Sequence, residues 1–511
     1  MPTPGDPKPS PPAPAALGEA LRLLERAAAD PGVLAGLSAE ERTRLQKAAG
    51  ELARPGPEGR RRLRRALARR DRQAQKARDG ALRRATGIQG LRRVPAFPTP
   101  PPIPAPEGSS RGAGPELCEP RKCYVCKSLY HQLHHFYDQL CPACGDESFA
   151  RRSATADLRG RVALVSGARV KIGYQAAILL LRAGCRVVSL TRFPRDAAAR
   201  YAREPDFATW RDRLSIQGID LRHTPSVERL CQHLCATLPR LDFQIHNACQ
   251  TVRRPPGFYA HLLEEEKVPL PALPADQRPL LEDYEDFRSS LAGRAAGLER
   301  PALLSQAQSA AGLALPGQGP IELFPQGLFD QDQQQIDLRP HNSWRLALHE
   351  VPSLELLEVL LVNAAAPFVM AARLKQLMLR EREAPPNTAT SADPAKHLVM
   401  VSAMEGQFYR RHKTDRHPHT NMAKAALNML VRTSASDLVR DGIHLNAVDT
   451  GWVTDEDPVQ LAAHKAEEHG FSPPLDVVDG AARVLAPLFE GFRTGHHSSG
   501  TFFKDFRAAP W

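Results

Sequence analysis

From residue 157 onward, short runs of apolar, often β-branched residues alternate with segments of helical periodicity. The predicted strands cover residues 162–166, 186–191, 214–219 and 241–246, and the predicted helices begin at Ile172 and Ser226. Strict alternation of strand and helix is typical of a parallel sheet with helices on both faces. The pattern therefore predicts an α/β fold with a doubly wound parallel sheet over residues 153–511.

The first 113 residues show a different pattern. Residues 15–53 have helical periodicity with a capping box from Ser38 to Glu41, whereas 94–107 is a polyproline spacer. Between them, residues 60–93 carry fourteen Lys and Arg against two Asp, a local charge of +12 in a chain whose net charge is +11. We therefore predict that residues 1–113 form a basic region that is helical or disordered.

This basic stretch leaves two interpretations open. It could bind nucleic acid or an acidic membrane, or it could be a solvated helix or tether. The second is favoured, because no aromatic side chain is interleaved for base stacking. A protein partner could also dock on the N-terminal region.

Five of the nine cysteines fall within 27 residues, and four of them form two C-x-x-C pairs separated by fourteen residues. Two such pairs can place four thiolates tetrahedrally around one Zn²⁺. The predicted ligands are Cys123, Cys126, Cys141 and Cys144, in a module over residues 114–152; unpaired redox thiols are the alternative. Four protein ligands leave no open position, so the metal is predicted to be structural.

The use of cysteine also suggests a cellular compartment. Clustered C-x-x-C pairs are typical of metal sites in a reducing environment rather than of a disulfide framework. The sequence shows neither an 18-residue uncharged apolar run nor a secretory signal. We therefore expect a cytoplasmic protein without a transmembrane segment.

The first strand of the α/β region is followed by a glycine-containing loop, Ser166-Gly-Ala-Arg-Val-Lys-Ile-Gly173, and then by a helix. Backbone amides and a helix N-terminus in such a loop can hold a pyrophosphate. Further landmarks follow in order after later predicted elements: Asp220, Asn247-Ala248, Asn363, Thr420-x-x-x-Lys424 and Asp449-Thr-Gly451-Trp-Val-Thr454. In this order they resemble the short-chain dehydrogenase/reductase (SDR) superfamily over about 157–253 and 350–505, as a divergent branch preceded by a four-cysteine module.

The resemblance implies a Rossmann domain that binds NAD(P)(H). The positions that match its cofactor contacts are Gly167, Arg169, Lys171, Ile172, Gly173, Arg192, Asp220, Asn247, Ala248, Lys424, Gly451 and Thr454. Arg192 follows the second strand where an acidic residue would bind the ribose of NAD, so NADP(H) is predicted in preference to NAD(H). Lys171 replaces a glycine of the family loop; it either contacts phosphate, which the neighbouring Arg169 favours, or obstructs the site.

The catalytic pattern of the family is incomplete. Thr420 stands at the position of the tyrosine that exchanges a proton with substrate, and Ala403 stands at the position of the serine, with Ser402 one residue early. Asn363 and Lys424 remain. His419 or His417 could serve as a relocated acid or base, whereas Tyr409 and Lys413 repeat the Y-x-x-x-K spacing by coincidence. The predicted catalytic set is Asn363, Ser402, Thr420, Lys424 and His419.

A long insertion separates Asn247 from Asn363. Its segment 255–345 has too few apolar positions for an independent core, so it is predicted to be either a lid or partner-docking arm or a disordered loop. The predicted function is an NADP(H)-preferring oxidoreductase that acts on an unknown carbonyl or alcohol with a substitute acid/base. The alternative is a catalytically inactive NADP(H)-binding sensor or scaffold, and the oligomeric state is left open.

Overall fold

The computed structural model of the chain describes residues 14–101, 114–291, 323–380, 393–409 and 413–511. Two compact units are present, Met1–Arg78 and Asp79–Trp511. Residues 79–101, which the sequence grouped with the basic region, are therefore packed within the second unit.

The first unit is helical. Its helices are α1 (Pro14–Ala29), α2 (Ala39–Ala53) and α3 (Pro57–Arg84), with a 3₁₀ turn at Pro31–Gly36. The predicted capping box is present, because Ser38 Oγ accepts from Glu41 N at 3.2 Å and Glu41 Oε2 accepts from Ser38 N at 2.9 Å. No side chain described between residues 15 and 78 is buried, so these helices enclose no core of their own.

The second unit begins with a small module before the large sheet. It contains α4 (Gly87–Leu91), the antiparallel strands β1 (Glu116–Lys122) and β2 (Leu129–Gln132), and α5 (Pro142–Arg152). The predicted basic helix of 60–93 is thus divided, because α3 ends at Arg84 and α4 starts at Gly87. Ile88, Tyr137 and Leu140 are fully buried here and share a core with Leu475 and Val478 of the C-terminal segment.

The main sheet has eight strands in the order β10-β9-β8-β7-β6-β3-β4-β5. The strands are β3 (Val162–Ser166), β4 (Arg186–Thr191), β5 (Leu214–Gly218), β6 (Phe243–His246), β7 (Lys396–Ser402), β8 (Ile443–Asp449), β9 (Phe502–Lys504) and β10 (Arg507–Ala509). All neighbouring pairs are parallel except β9 with β10. The predicted doubly wound parallel sheet is confirmed.

Helices cover both faces of this sheet. They are α6 (Lys171–Arg182), α7 (Pro194–Ala202), α8 (Thr224–Thr237), α11 (Ser353–Arg373), α12 (Lys375–Leu379), α13 (Pro418–Leu438), α14 (Val459–His469) and α15 (Val477–Thr494). On β3, Val165 packs in the core formed with α6 and α15, whereas its neighbour Leu164 packs in the core formed with α8, α11 and α13. Successive strand residues point to opposite faces, which explains why these buried strands are apolar at every position.

The described part of the insertion is folded onto the sheet edge. Two short helices, α9 (Ala260–Glu265) and α10 (Glu282–Leu291), lie in it. Leu281 and Tyr284 join the main core, and Phe258 and Tyr259 pack with Phe193. The disordered-loop alternative is therefore wrong for 255–291 and 323–345; the segment lacks a core of its own and uses the existing one. Residues 292–322 lie outside the described part.

One helix, Ser353–Arg373, is long and apolar enough by length and composition to cross a membrane, with a mean hydropathy of 1.7. The sequence analysis expected no such segment. The helix lies on the sheet, with Met370 and Ala366 in the core and Asn363 buried. Because core helices pass the same test, this single helix is weak evidence for a membrane span.

Candidate functional site

The four predicted metal ligands converge. The Sγ atoms of Cys123, Cys126, Cys141 and Cys144 all lie within 4.8 Å of one another. Cys126 Sγ is 3.7 Å from Cys141 Sγ, close to the ~3.8 Å that follows from tetrahedral geometry with Zn–S bonds of about 2.3 Å. The cluster therefore fits a tetrahedral, thiolate-preferring ion such as Zn²⁺, and four protein ligands would leave that ion no open position.

Buried ion pairs link the four-cysteine module to the Rossmann domain. Arg152 Nη1 lies 2.7 Å from Asp476 Oδ1 and 2.9 Å from Asp479 Oδ1, and the hydroxyl of Tyr137 donates to Asp479. Burial alone would raise the pKa of Asp476, but Arg152 outweighs it and lowers that pKa. Burial and the charge of Asp476 raise the pKa of Asp479. Arg152 thus holds two adjacent buried carboxyls.

The glycine-containing loop is built for close backbone approach. Gly167 has φ +68°, and a Cβ there would lie 2.9 Å from Ala248 Cα. A Cβ on Gly173 would lie 2.3 Å from Gly167 O and 2.4 Å from Asn247 Nδ2. Asn247 Nδ2 donates to the carbonyls of Ser166 and Gly167 at 3.3 and 3.4 Å. The loop therefore lies against the carboxyl end of β6 at the N-terminus of α6, where a pyrophosphate would be bound.

Lys171 adopts the backbone conformation of the glycine it replaces, with φ +55°. Its Nζ is 3.9 Å from Glu456 Oε1. Burial lowers the pKa of Lys171, but Glu456, Asp332 and Asp330 outweigh this and raise it. Arg169, in turn, lies 2.6 Å from Asp196. Both cations of this loop therefore face carboxylates, which offset their positive charge.

The insertion supplies part of this acidic surrounding. Arg200 donates to the carbonyls of Asp332 and Gln333 at 3.0 and 2.8 Å, which fixes the turn near Lys171. Burial raises the pKa of Asp332 to about 6. Asn342 Nδ2 donates to Glu456 O at 2.9 Å. Sequence reasoning missed Glu456 and Asp332, since only folding brings them to the loop.

Two residues predicted to contact the cofactor, Asp220 and Arg192, are also bonded to other side chains. Asp220 is buried and accepts from Arg222 Nη2 at 2.8 Å, and Arg222 Nη1 donates to Glu358 at 2.9 Å. Arg192 Nη2 donates to Tyr259 Oη at 2.8 Å and lies over that ring. Arg192 therefore follows β4, and its guanidinium packs against the ring of Tyr259 from the insertion.

The retained catalytic positions make internal hydrogen bonds. Lys424 Nζ donates to Val401 O at 2.7 Å. Asn363, in a π-helical turn of α11, accepts from Gln250 N at 2.7 Å and donates to Gln250 O at 3.1 Å. Ser402 Oγ donates to Asn428 Oδ1 at 2.6 Å. The hydroxyl of Ser402, which was predicted in the catalytic set, therefore faces α13.

Thr420 is paired with a histidine. Its Oγ1 donates to His417 O at 2.8 Å and lies 3.0 Å from His417 Nδ1. Since the hydroxyl uses its single proton on the carbonyl, it accepts from Nδ1–H, and Nε2 is the basic nitrogen. The His417 ring stacks on Trp344 of the insertion at 3.8 Å, and burial lowers its pKa to about 4. The imidazole is therefore neutral at pH 7.

The other candidates in this region lie elsewhere. His419 is buried between α13 and α11, with Nε2 3.5 Å from Glu355 Oε1. Its side chain faces the neighbouring helix, and the histidine that contacts Thr420 is His417. Tyr409 is 53% exposed, consistent with a coincidental spacing to Lys413, and His412 lies outside the described residues.

The loop after β8 lies between the candidate site and the four-cysteine module. Gly451 has φ +76°, and its N–H donates to Asp449 at 2.6 Å. Thr454 Oγ1 donates to Glu456 at 2.7 Å, and Tyr124 of the first C-x-x-C pair accepts from Trp452 N at 2.9 Å. The structure thus brings Gly167, Asn247, Lys171 and Thr454 together at the carboxyl edge of one parallel sheet.

This combination is a Rossmann-type fold with a glycine-containing loop at the carboxyl edge of the sheet. The strand order and the parallel pairing are those of a doubly wound sheet, and a four-cysteine cluster precedes it. Asn247, Asn363, Lys424 and Thr454, on which the resemblance to the SDR superfamily rests, all lie on this fold.

Comparisons with known proteins give one match over most of the chain and shorter matches to dehydrogenases/reductases. The chain is 30% identical over 382 residues to the uncharacterized protein R665 of Acanthamoeba polyphaga mimivirus, covering 72% of this chain and 71% of that protein. It is 35% identical over 104 residues to dehydrogenase/reductase SDR family member 13 of Bos taurus, which is 20% of this chain and 27% of the relative. No protein-family model matches the chain.

Two solved structures are similar to this chain over about two thirds of its length. The RhlG/NADP active-site complex of Pseudomonas aeruginosa gives a TM-score of 0.39 at 18% identity, covering 68% of this chain and 95% of that chain. A dehydrogenase/reductase of Sinorhizobium meliloti gives 0.41 at 15% identity, covering 68% and 94%.

Proposed function

We propose that the protein is an NADP(H)-binding oxidoreductase that acts on a carbonyl or alcohol. The observation that carries the proposal is the loop at Gly167 and Gly173, held by Asn247 against the helix N-terminus at the sheet edge where dinucleotides bind. Arg192 at the end of β4 favours a 2′-phosphate. Bound NADP(H) would supply or accept the hydride.

In this proposal His417 replaces the absent tyrosine. Its ring is hydrogen-bonded to Thr420, the residue at the tyrosine position, and it is neutral near pH 7. A neutral imidazole can accept a proton through Nε2, and in this proposal His417 is a weak general base for alcohol oxidation, since its pKa is near 4. Thr420 holds the ring orientation through Nδ1.

A second candidate is a cofactor-binding protein without turnover. The hydrogen bonds of Lys424 to Val401 and of Asn363 to Gln250 favour it, because both groups are satisfied without cofactor or substrate. In that case the basic N-terminal region and the insertion would dock partners, as the sequence predicts. In either case we infer that the four cysteines hold a structural Zn²⁺.

The experiment that tests the proposal is a calorimetric titration of the full-length, zinc-loaded protein with NADPH and NADH. We expect saturable micromolar binding with NADPH preferred. Absence of binding by both nucleotides would overturn the proposal. Binding without turnover across a panel of alcohols and carbonyls would support the second candidate.

The charge of Arg192 provides a prediction about cofactor choice. Arg192→Glu should weaken NADPH binding by about 10- to 100-fold, since charge-assisted hydrogen bonds contribute ~1.5–3 kcal/mol. NADH binding should change less than about threefold. Arg186→Glu, at the other end of the same strand and exposed, is the matched control. Equal losses for both nucleotides would remove the 2′-phosphate assignment.

The proposed base gives a prediction about rate and pH. His417→Gln keeps a hydrogen-bonding side chain but lacks a basic nitrogen, so kcat for alcohol oxidation should fall about 10²-fold or more. Because the pKa of His417 lies near 4, the imidazole of the wild type is deprotonated above that pH and kcat should lose this base only as the pH falls toward 4. His419→Gln is the control; a loss of kcat in that variant instead would restore His419 as the candidate.

A further inference from the structure

The four-cysteine module directly contacts the loop that follows β8. Tyr124 is the second residue of the first C-x-x-C pair, and its hydroxyl accepts a hydrogen bond from Trp452 N at 2.9 Å. A Cβ on Gly451 would lie 3.4 Å from the same hydroxyl. Trp452 itself is 44% exposed, so its backbone is held here by the module rather than by burial of the indole.

The position of Tyr124 depends on both cysteine pairs. Its N–H donates to Gln139 O at 2.9 Å, two residues before Cys141. Cys141 N donates to Cys123 Sγ at 3.3 Å, next to Tyr124 in the chain. These bonds join the two cysteine hairpins, and a metal bound by the four thiolates would hold the same hairpins together.

The loop on the other side of this contact is part of the candidate cofactor site. Asp449 accepts from Gly451 N at 2.6 Å, and Trp452 Nε1 donates to Thr454 O at 3.1 Å. Thr454 then donates to Glu456, the partner of Lys171. A short chain of contacts therefore leads from the cysteines through Tyr124 to the glycine-containing loop.

We propose that Tyr124 is a positioning residue through which metal loading of the four cysteines sets the conformation of loop 450–454 and hence the affinity for the dinucleotide. The inference rests on the proposed function of that loop in cofactor binding. The metal then has a role beyond folding the module, because loss of the ion would release Tyr124 and loosen loop 450–454.

The test compares the full-length, zinc-loaded wild type with Tyr124→Phe. This change removes only the acceptor of Trp452 N. Hydrogen exchange of peptides covering 450–456 should become about fivefold faster, the loss expected for one hydrogen bond, and NADPH should bind about fivefold more weakly. Zinc content should remain that of the wild type.

Tyr130→Phe is the matched control, since Tyr130 donates to Asp138 O at 3.1 Å within the same module. It should change neither the exchange of 450–456 nor NADPH affinity. Identical exchange and affinity for wild type and Tyr124→Phe would overturn the proposal, as would loss of zinc from Tyr124→Phe. If the wild type binds no NADPH, the proposed function fails, whereas the exchange of 450–456 still decides whether Tyr124 positions the loop.

Discussion

Replacing Cys141 with Ser is expected to abolish stoichiometric zinc binding and to unfold residues 114–152. Cys141 Sγ is one of four mutually close sulfur atoms, and a hydroxyl is a much poorer zinc ligand than a thiolate. Structural zinc contributes about 10–16 kcal/mol of apparent binding free energy at neutral pH, and the two cysteine hairpins meet at this cluster. Elemental analysis gives the metal content, and hydrogen exchange over 114–152 reports the folding.

The control for this experiment is Cys235→Ser. Cys235 is a partly exposed cysteine on α8, outside the cluster. It should retain one zinc per chain and wild-type exchange. Unchanged zinc content in Cys141→Ser would refute the four-cysteine assignment.

Arg152→Met is expected to destabilise the second unit by about 3–5 kcal/mol. The change removes the cation that contacts both Asp476 and Asp479 directly, and removing one partner of a buried ion pair has a cost of this order. The side chains of Arg152 and Asp479 are 8% and 0% exposed, so water does not replace the lost charge. Urea unfolding followed by circular dichroism measures the difference.

The neighbouring Arg151 offers a matched control. It pairs with Glu490 at 2.7 Å, but the two side chains are 28% and 37% exposed. Arg151→Met should therefore cost less than about 1 kcal/mol. Equal losses for the two variants would show that Arg152 does not carry the contact between the module and the Rossmann domain.

The four cysteines and the Rossmann fold were readable from local patterns. Alternation of buried strands and amphipathic helices imposes a parallel sheet, because each element must bury one apolar face. Each cysteine pair lies within one short segment, so its spacing is visible in the sequence. The glycine-containing loop was equally visible as a local pattern, since Gly167, Lys171 and Gly173 lie within eight residues.

The charges around the site were not readable in this way. Arg169 and Lys171 are next to no carboxylate in sequence, yet they face Asp196 and Glu456 in the fold. The insertion was predicted to lack an independent core. Its Tyr259 nevertheless packs against Phe193, and its Trp344 stacks on the ring of His417. The burial of these aromatic side chains therefore depends on partners that are far from them in the sequence.

By itself, then, the sequence determined the doubly wound sheet, the dinucleotide loop and the four-cysteine hairpins, because periodicity and ligand spacing act over a few residues. Only the tertiary structure decided that His417 rather than His419 adjoins Thr420, that Ser402 faces Asn428, and that Tyr124 holds Trp452. The direction of a side chain and its charge partner are set by elements far apart in the chain, and folding alone brings those elements into contact.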